Sequence, residues 1–266
     1  MTEVNYLESL NPLQYESVCS TEGPTLIIAG AGTGKTKVLT TRVAHIIDNN
    51  LAFPSQILCV TFTNKAAREM SDRVQKLVSQ NMEKMPWMGT FHSIGAKIIR
   101  NHAEVIGLKQ SFTILDKDDQ LSLIKQIIKA ENLDQSQFSP KLIQSKIDHW
   151  KNKALNPNDI KSESLDNLVD EKSLSIYKIY QARLFEINCL DFGDLLLQCI
   201  NLFKVPDIHK RYSNNFKYIH VDEYQDTNAA QYKWLKLLGS HHQNVCCVGD
   251  DDQSIYSWRG AEVDNM

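Results

Sequence analysis

Ala29-Gly30-Ala31-Gly32-Thr33-Gly34-Lys35-Thr36 decides how this chain is read. The stretch leaves a short apolar run at residues 25–29 and enters a helix-like segment at 35–48. A strand running into a glycine-rich turn that opens a helix is the context a phosphate-binding P-loop requires. Glycines let successive backbone N–H groups curl around phosphate oxygens, and the helix N-terminus adds a positive partial charge. Lys35 supplies a mobile cation for the β- and γ-phosphates of a nucleotide, and Thr36 is placed to give its hydroxyl to Mg²⁺. Ala29 stands where such loops usually begin with glycine. An alanine there requires only that φ stay negative at the strand exit, so the loop is expected to form. A glycine-rich turn can also merely reverse the chain, but Gly34-Lys35-Thr36 at a strand–helix junction argues against that.

Outward from the loop, four further β-branched apolar runs lie at 57–62, 87–91, 218–221 and 245–248. Most are continuous rather than alternating, as in strands buried on both faces of a parallel sheet. Helix-like stretches follow at 64–78, 92–102 and 229–238, so the fold class is α/β, an open parallel sheet with helices on both sides. The rhythm breaks between about 105 and 205, where helical patterns at 118–130, 141–151, 171–188 and 192–203 are divided by polar linkers such as Asn156-Pro157-Asn158-Asp159. The division expected is a discontinuous sheet domain over 1–105 and 207–266, with a mostly helical subdomain inserted at 106–206. The sequence contains no internal repeat and no low-complexity tract.

Composition sets bounds. The 266 residues are 42% hydrophobic and 23% charged, ordinary for a soluble globular protein. No apolar run reaches the roughly 18 residues needed to span a bilayer, and residues 1–10 lack a secretory pattern. A soluble cytosolic protein with no membrane partner is expected. None of the six cysteines forms a Cys-x-x-Cys pair, so buried free thiols are expected rather than a zinc site. Net charge is −3, which by itself gives no argument for nucleic acid. Its distribution is uneven: residues 30–110 carry eleven Lys/Arg against five Asp/Glu, and residues 218–266 carry three against eight. A basic segment can face phosphates and an acidic one can hold a metal.

A second signal completes the phosphate site. The run Tyr218-Ile219-His220-Val221 ends in Asp222-Glu223, and at the carboxyl edge of a parallel sheet such side chains point into the ligand crevice. Asp222 is assigned to Mg²⁺, and Glu223 to orienting and deprotonating the attacking water. Alone, the pair would serve equally as a helix cap. Val248-Gly249-Asp250-Asp251-Asp252-Gln253 is the third piece, in which the Gln253 amide can bond a γ-phosphate and register its loss. Aromatic residues cluster beyond the same elements: Phe62 in Thr61-Phe62-Thr63-Asn64-Lys65, Phe91 and His92 in Gly89-Thr90-Phe91-His92, and Tyr256, Trp258 and Arg259 after Gln253. Bases of a single strand stack on aromatic faces at about 1–3 kcal/mol each without needing a particular sequence. Asp191-Phe192-Gly193 matches a kinase tripeptide, but the loop class is wrong for a kinase; Asp191 is expected to cap a helix.

As an ordered set, Leu10-Asn11-Pro12-Leu13-Gln14, the P-loop, Thr61–Ala67, Gly89–His92, Asp222-Glu223-Tyr224-Gln225-Asp226-Thr227-Asn228 and Gly249–Gly260 make the chain resemble, over nearly its whole length, the N-terminal half of superfamily 1A DNA helicases of the UvrD/Rep/PcrA type. That resemblance implies a RecA-like ATP-binding motor domain and an ATP-dependent 3′→5′ helicase acting on single-stranded DNA and duplex junctions in repair or replication, in the bacterial cytosol or nucleoid. It implies ATP and Mg²⁺ as cofactors, with Thr36 and Asp222 on the metal and Lys35, Asp222, Glu223 and Gln253 in catalysis. The nucleotide is implied to meet Gln14, which would select adenine, together with Ala29, Gly30, Ala31, Gly32, Thr33, Gly34, Lys35, Thr36, Lys37 and Arg42. Lys37 stands where the family usually has an adenine-stacking arginine and is a poorer planar partner. DNA is implied to meet Phe62, Asn64, His92, Tyr256, Trp258 and Arg259. The family's second RecA-like domain, with its arginine fingers, has no counterpart up to Met266, so this segment alone is expected to bind nucleotide weakly, hydrolyse ATP slowly or not at all, and unwind nothing. Two alternatives remain at this stage: a stand-alone module gripping single strands without motor work, and a P-loop enzyme for a small molecule, whose turnover would ignore DNA.

Overall fold

A computed structural model describes residues 6–30, 32–78, 85–161, 165 and 167–250. Ala31, Gln253, Tyr256, Trp258 and Arg259 therefore lie outside the described residues. In chain order the elements are α1 (Pro12–Cys19), β1 (Thr25–Ile28), α2 (Lys35–Asp48), β2 (Ile57–Thr61), α3 (Asn64–Leu77), β3 (Met88–Thr90), α4 (Phe91–Asn101), β4 (Thr113–Leu115) and α5 (Lys117–Ala130). They continue with α6 (Pro140–Asn152), α7 (Leu168–Glu186), β5 (Cys189–Asp191), α8 (Phe192–Leu202), α9 (Pro206–Asn215), β6 (Tyr218–Val221), α10 (Ala229–Leu238) and β7 (Val245–Gly249). The chain divides into two compact units.

The first unit takes Met1–Ile94, Val205–Thr227 and Leu235–Met266. Its five strands form one sheet in the order β1-β7-β6-β2-β3, with every neighbouring pair parallel. All residues of β2 and β6 are buried, which is why these runs are apolar throughout rather than alternating. The edge strand β1 alternates instead, with Leu26 and Ile28 exposed. On one face, Leu39, Val43 and Ile46 of α2 and Met70 and Val74 of α3 pack with Ile57, Cys59, Tyr218, Cys246 and Val248. Because all strands run the same way, every strand exit opens on the same edge. Helix α1 was not anticipated: only Val18 is buried, so it has no periodic apolar face. It is specified locally, by a capping box between Asn11 and Gln14 and by a proline in the first turn.

The second unit takes Gly95–Lys204 and Asn228–Trp234. It is mostly helical, with Ile124, Ile128, Ile143, Ile147, Tyr177, Tyr180 and Leu184 in its core. It also holds a two-stranded parallel sheet, β4 with β5, whose three-residue strands are too short to show a period. Asp191 caps α8 by accepting from the Asp194 backbone N–H at 2.9 Å. It also belongs to a buried ion cluster: Lys151 Nζ lies 2.7 Å from Asp191 and 2.8 Å from Asp194, with the Tyr180 hydroxyl donating to Asp191 at 2.9 Å. A Cβ on Gly193 would fall 2.8 Å from Lys151 Cδ, so the Asp-Phe-Gly tripeptide makes room for a lysine here. Among the described residues, no helix is long and apolar enough to cross a membrane.

Candidate nucleotide site and strand-end aromatics

The loop after β1 builds the first wall of the site. Gly32 and Gly34 have φ of 74° and 91°, the left-handed region where a side chain is strained. Ala29 is not among the residues of positive φ, so the alanine fits, and its N–H donates to the Gly249 carbonyl at 3.1 Å. Gly34 caps α2 without any side-chain hydrogen bond, which leaves the first-turn amides of α2 facing outward for an anion. Lys35 Nζ donates to the Ala29 carbonyl at 2.7 Å and to Asp250 Oδ2 at 3.0 Å. Thus the lysine folds back over its own loop and is held by the residue that follows β7.

The second wall is the exit of β6. Asp222 is 3% exposed; its N–H donates to the Val60 carbonyl at 3.0 Å, and its carboxylate lies near the Thr36 hydroxyl. Burial first, and then the neighbouring Glu223 charge, push the Asp222 carboxyl up to about 6, with Lys35 and the hydrogen bonds pulling the other way. Glu223 sits in a left-handed conformation at φ 53° and ψ 46°, costly for a residue with a Cβ. Its carboxylate accepts from Gln225 Nε2 at 2.7 Å, and Gln225 Oε1 accepts from the Asp250 N–H at 3.0 Å. Sequence reasoning missed both Gln225 and the pairing of Asp250 with Lys35.

Asp250 pairs with the Lys35 ammonium, and Asp222, with Glu223 beside it, feels the same positive charge, a surplus of negative charge that a cation would offset. The donors beside Lys35 are a carboxylate and a hydroxyl, hard oxygens of the kind Mg²⁺ takes from a protein before completing its shell with phosphate oxygens and water. The residues present fit that ion. Among the described residues no group of three or more His, Cys, Asp or Glu could hold a metal without such help.

Helix α1 meets the loop through Gln14, whose Oε1 accepts from the Asn11 N–H at 3.1 Å and whose Nε2 donates to the Thr33 carbonyl at 2.9 Å. One amide hydrogen and one lone pair of Gln14 stay in reserve. Lys37 is exposed and donates to the Ser9 carbonyl at 2.6 Å. Arg42 does not face the site. It is 1% exposed and its guanidinium donates to the carbonyls of Ser17 and Thr21, so it braces the end of α1 and cannot reach a nucleotide directly.

Farther along the same edge, Phe62 follows β2 and is half-buried, its ring 5.6 Å from that of Phe91 at 63°. Phe91, 1% exposed, is core, and presents Phe62 edge-on. Asn64 is exposed in the first turn of α3, whose cap is the Thr63 side chain, and His92 is half-buried in the first turn of α4. The structure brings these three to the carboxyl edge that also carries the loop and Asp222.

The profile of the UvrD/REP helicase N-terminal domain matches residues 10–266. DNA helicase II of Rickettsia typhi (strain ATCC VR-144 / Wilmington) is 50% identical over 270 residues, covering 100% of this chain and 41% of that protein. The probable DNA helicase II homolog of Rickettsia felis (strain ATCC VR-1525 / URRWXCal2) is 48% identical over 265 residues, covering 98% and 40%. ATP-dependent DNA helicase PcrA of Staphylococcus aureus (strain Mu50 / ATCC 700699) is 49% identical over 261 residues, covering 98% and 36%. The chain spans about two-fifths of the length of the curated relatives it matches.

Proposed function

The chain belongs to the UvrD/REP helicase N-terminal domain family, and from that premise we propose that it is the ATP-binding part of an ATP-dependent DNA helicase that moves 3′→5′ on single-stranded DNA. One observation carries the reading: Lys35, Thr36, Asp222, Glu223 and Asp250, drawn from three distant stretches, meet at a single sheet edge. Lys35 exchanges the Asp250 carboxylate for the β- and γ-phosphate oxygens of ATP, while the first-turn amides of α2 hold the remaining charge. Thr36 and Asp222 would hold Mg²⁺, which supplies charge neutralisation on the phosphates. Glu223 orients the attacking water and takes its proton. Gln14 spends its reserve donor and acceptor on adenine, and Lys37 lies beside it. Arg42 supports that contact indirectly by fixing α1. Gln253 couples the γ-phosphate to DNA, which is gripped by Phe62, Asn64, His92, Tyr256, Trp258 and Arg259.

The relatives' names support DNA as the substrate, and the row of aromatic and polar side chains along the strand exits supports single-stranded DNA in particular. By itself this segment binds nucleotide without unwinding, since it spans about two-fifths of those relatives. The test is ATP hydrolysis by the full-length protein with and without single-stranded DNA. Turnover should rise with DNA, and Lys35→Ala should abolish it. Turnover indifferent to DNA would instead favour an enzyme acting on a small molecule, and activity surviving Lys35→Ala would remove the site.

A further inference from the structure

Gln225 is 2% exposed and lies two residues beyond Glu223. The two ends of its amide are engaged in opposite directions: Nε2 donates to Glu223 Oε2 at 2.7 Å, and Oε1 accepts from the Asp250 N–H at 3.0 Å. A flip of the amide would set donor against donor and acceptor against acceptor, so its orientation is fixed from both sides. Asp250 is itself fixed by its carboxylate on Lys35, and the preceding Gly249 carbonyl accepts from the Ala29 N–H. An unbroken chain of bonds therefore runs from the phosphate loop through Asp250 and Gln225 to the Glu223 carboxylate. The last link is short and half-buried, whereas the Glu223 backbone is strained, so the direction of this carboxylate depends on its partner.

We propose that Gln225 is the positioning residue for Glu223, holding its carboxylate in one rotamer and tying that rotamer to the backbone at the exit of β7. The inference rests on the reading of Glu223 as the general base. Gln225 touches no reacting atom. It converts the placement of Asp250, which answers to Lys35, into the placement of Glu223, which answers to water. A phosphate that draws Lys35 away from Asp250 is thereby reported to the base through a single amide.

The experiment uses the full-length protein with saturating single-stranded DNA and four variants: Gln225→Met, Gln225→Glu, Glu223→Gln, and Gln225→Met with Glu223→Gln. Methionine keeps the length and removes both hydrogen bonds, while glutamate keeps the acceptor toward Asp250 and turns a carboxylate oxygen on Glu223. Gln225→Met is expected to lower kcat about tenfold to a hundredfold, the usual effect of removing a group that orients a reacting one. KM for ATP should stay within about twofold, because only the transition state feels the loss. Gln225→Glu should lose at least as much. On the Glu223→Gln background, read by single-turnover kinetics, Gln225→Met should cost nothing further, since the group it positions is gone.

Equal losses on both backgrounds would mark Gln225 as scaffold and overturn the proposal, as would a kcat within about twofold of the parent in the folded variants. Should Gln225→Met fail to fold, Gln225→Glu on the two backgrounds gives the same comparison. Failure of the underlying reading is a different result: a parent that does not hydrolyse ATP, or a Glu223→Gln variant with undiminished turnover.

Discussion

Two lysines, one in each unit, show how the same ion can be held for opposite purposes. Lys35 touches one carbonyl and one carboxylate, and its side chain keeps 10% of its surface. Lys151 touches two carboxylates, lies 5.6 Å and 5.2 Å from the rings of Tyr177 and Tyr180, and has no surface at all. Both clusters hold more carboxylates than ammonium groups, and each therefore contains a carboxyl pushed up to about 6, Asp222 in one and Asp194 in the other. For Asp194 the causes are burial and the Asp191 charge; Asp191 is pushed up by burial too, but Lys151 holds it below the ordinary range. In the sealed cluster the surplus is relieved only when pH falls through about 6 and Asp194 takes up a proton. In the open one, on the proposed reading of the site, a cation arriving with a nucleotide would relieve it. The difference is access, not chemistry.

Several changes would break or sharpen that contrast. Lys151→Ala leaves two buried carboxylates facing each other and should cost about 3–5 kcal/mol in urea unfolding; a smaller loss would mean the cluster is wetter than it looks. Asp222→Asn should do the reverse while ending turnover. The folded carboxyl titrates near 6, above the 3.8 of an ordinary aspartate, so ionising it opposes folding fully above pH 6 and not at all below pH 4. The variant should therefore be more stable than its parent above pH 6, by about 3 kcal/mol at most, with the advantage fading as pH falls through that window. Two alanines separate sealed from open directly. Gly193→Ala meets Lys151 at 2.8 Å and should cost about 1–3 kcal/mol of stability. Gly30→Ala meets nothing within 4 Å and should leave stability unchanged while weakening nucleotide binding, as read by fluorescent-nucleotide titration. Asp250→Asn has the smallest expected effect: freed of its counter-ion, Lys35 should bind nucleotide about tenfold more tightly. Unchanged affinity would mean that the Lys35–Asp250 contact does not compete with phosphate.

What could be read in the sequence was what each stretch carries within itself. The parallel sheet was legible because β2 and β6 are buried on both faces and so leave unbroken apolar runs. The phosphate loop was legible because its glycines, lysine and threonine are contiguous. Strands β4 and β5 were not, since three residues cannot show a period. Helix α1 escaped a search for apolar stripes, although Asn11-Pro12-Leu13-Gln14 already spelled its cap. Arg42 was implied as a nucleotide contact by the family resemblance, but its guanidinium turns inward to α1. The bond from Lys35 to Asp250 joins positions 215 apart, and no local pattern encodes such a contact. Gln225 had one available signal, a polar amide just past a strand-end carboxylate pair.

The distribution of thiols has a practical consequence. Five of the six cysteines are sealed in the interior, and burial pushes Cys59, Cys199, Cys246 and Cys247 away from the reactive thiolate form. Cys19 alone is half-buried, at the end of the short helix whose other end carries Gln14. A maleimide dye added to this domain should attach there first, and on the role proposed for Gln14 it would make α1 an optical reporter of adenine arriving at the opposite end of the helix.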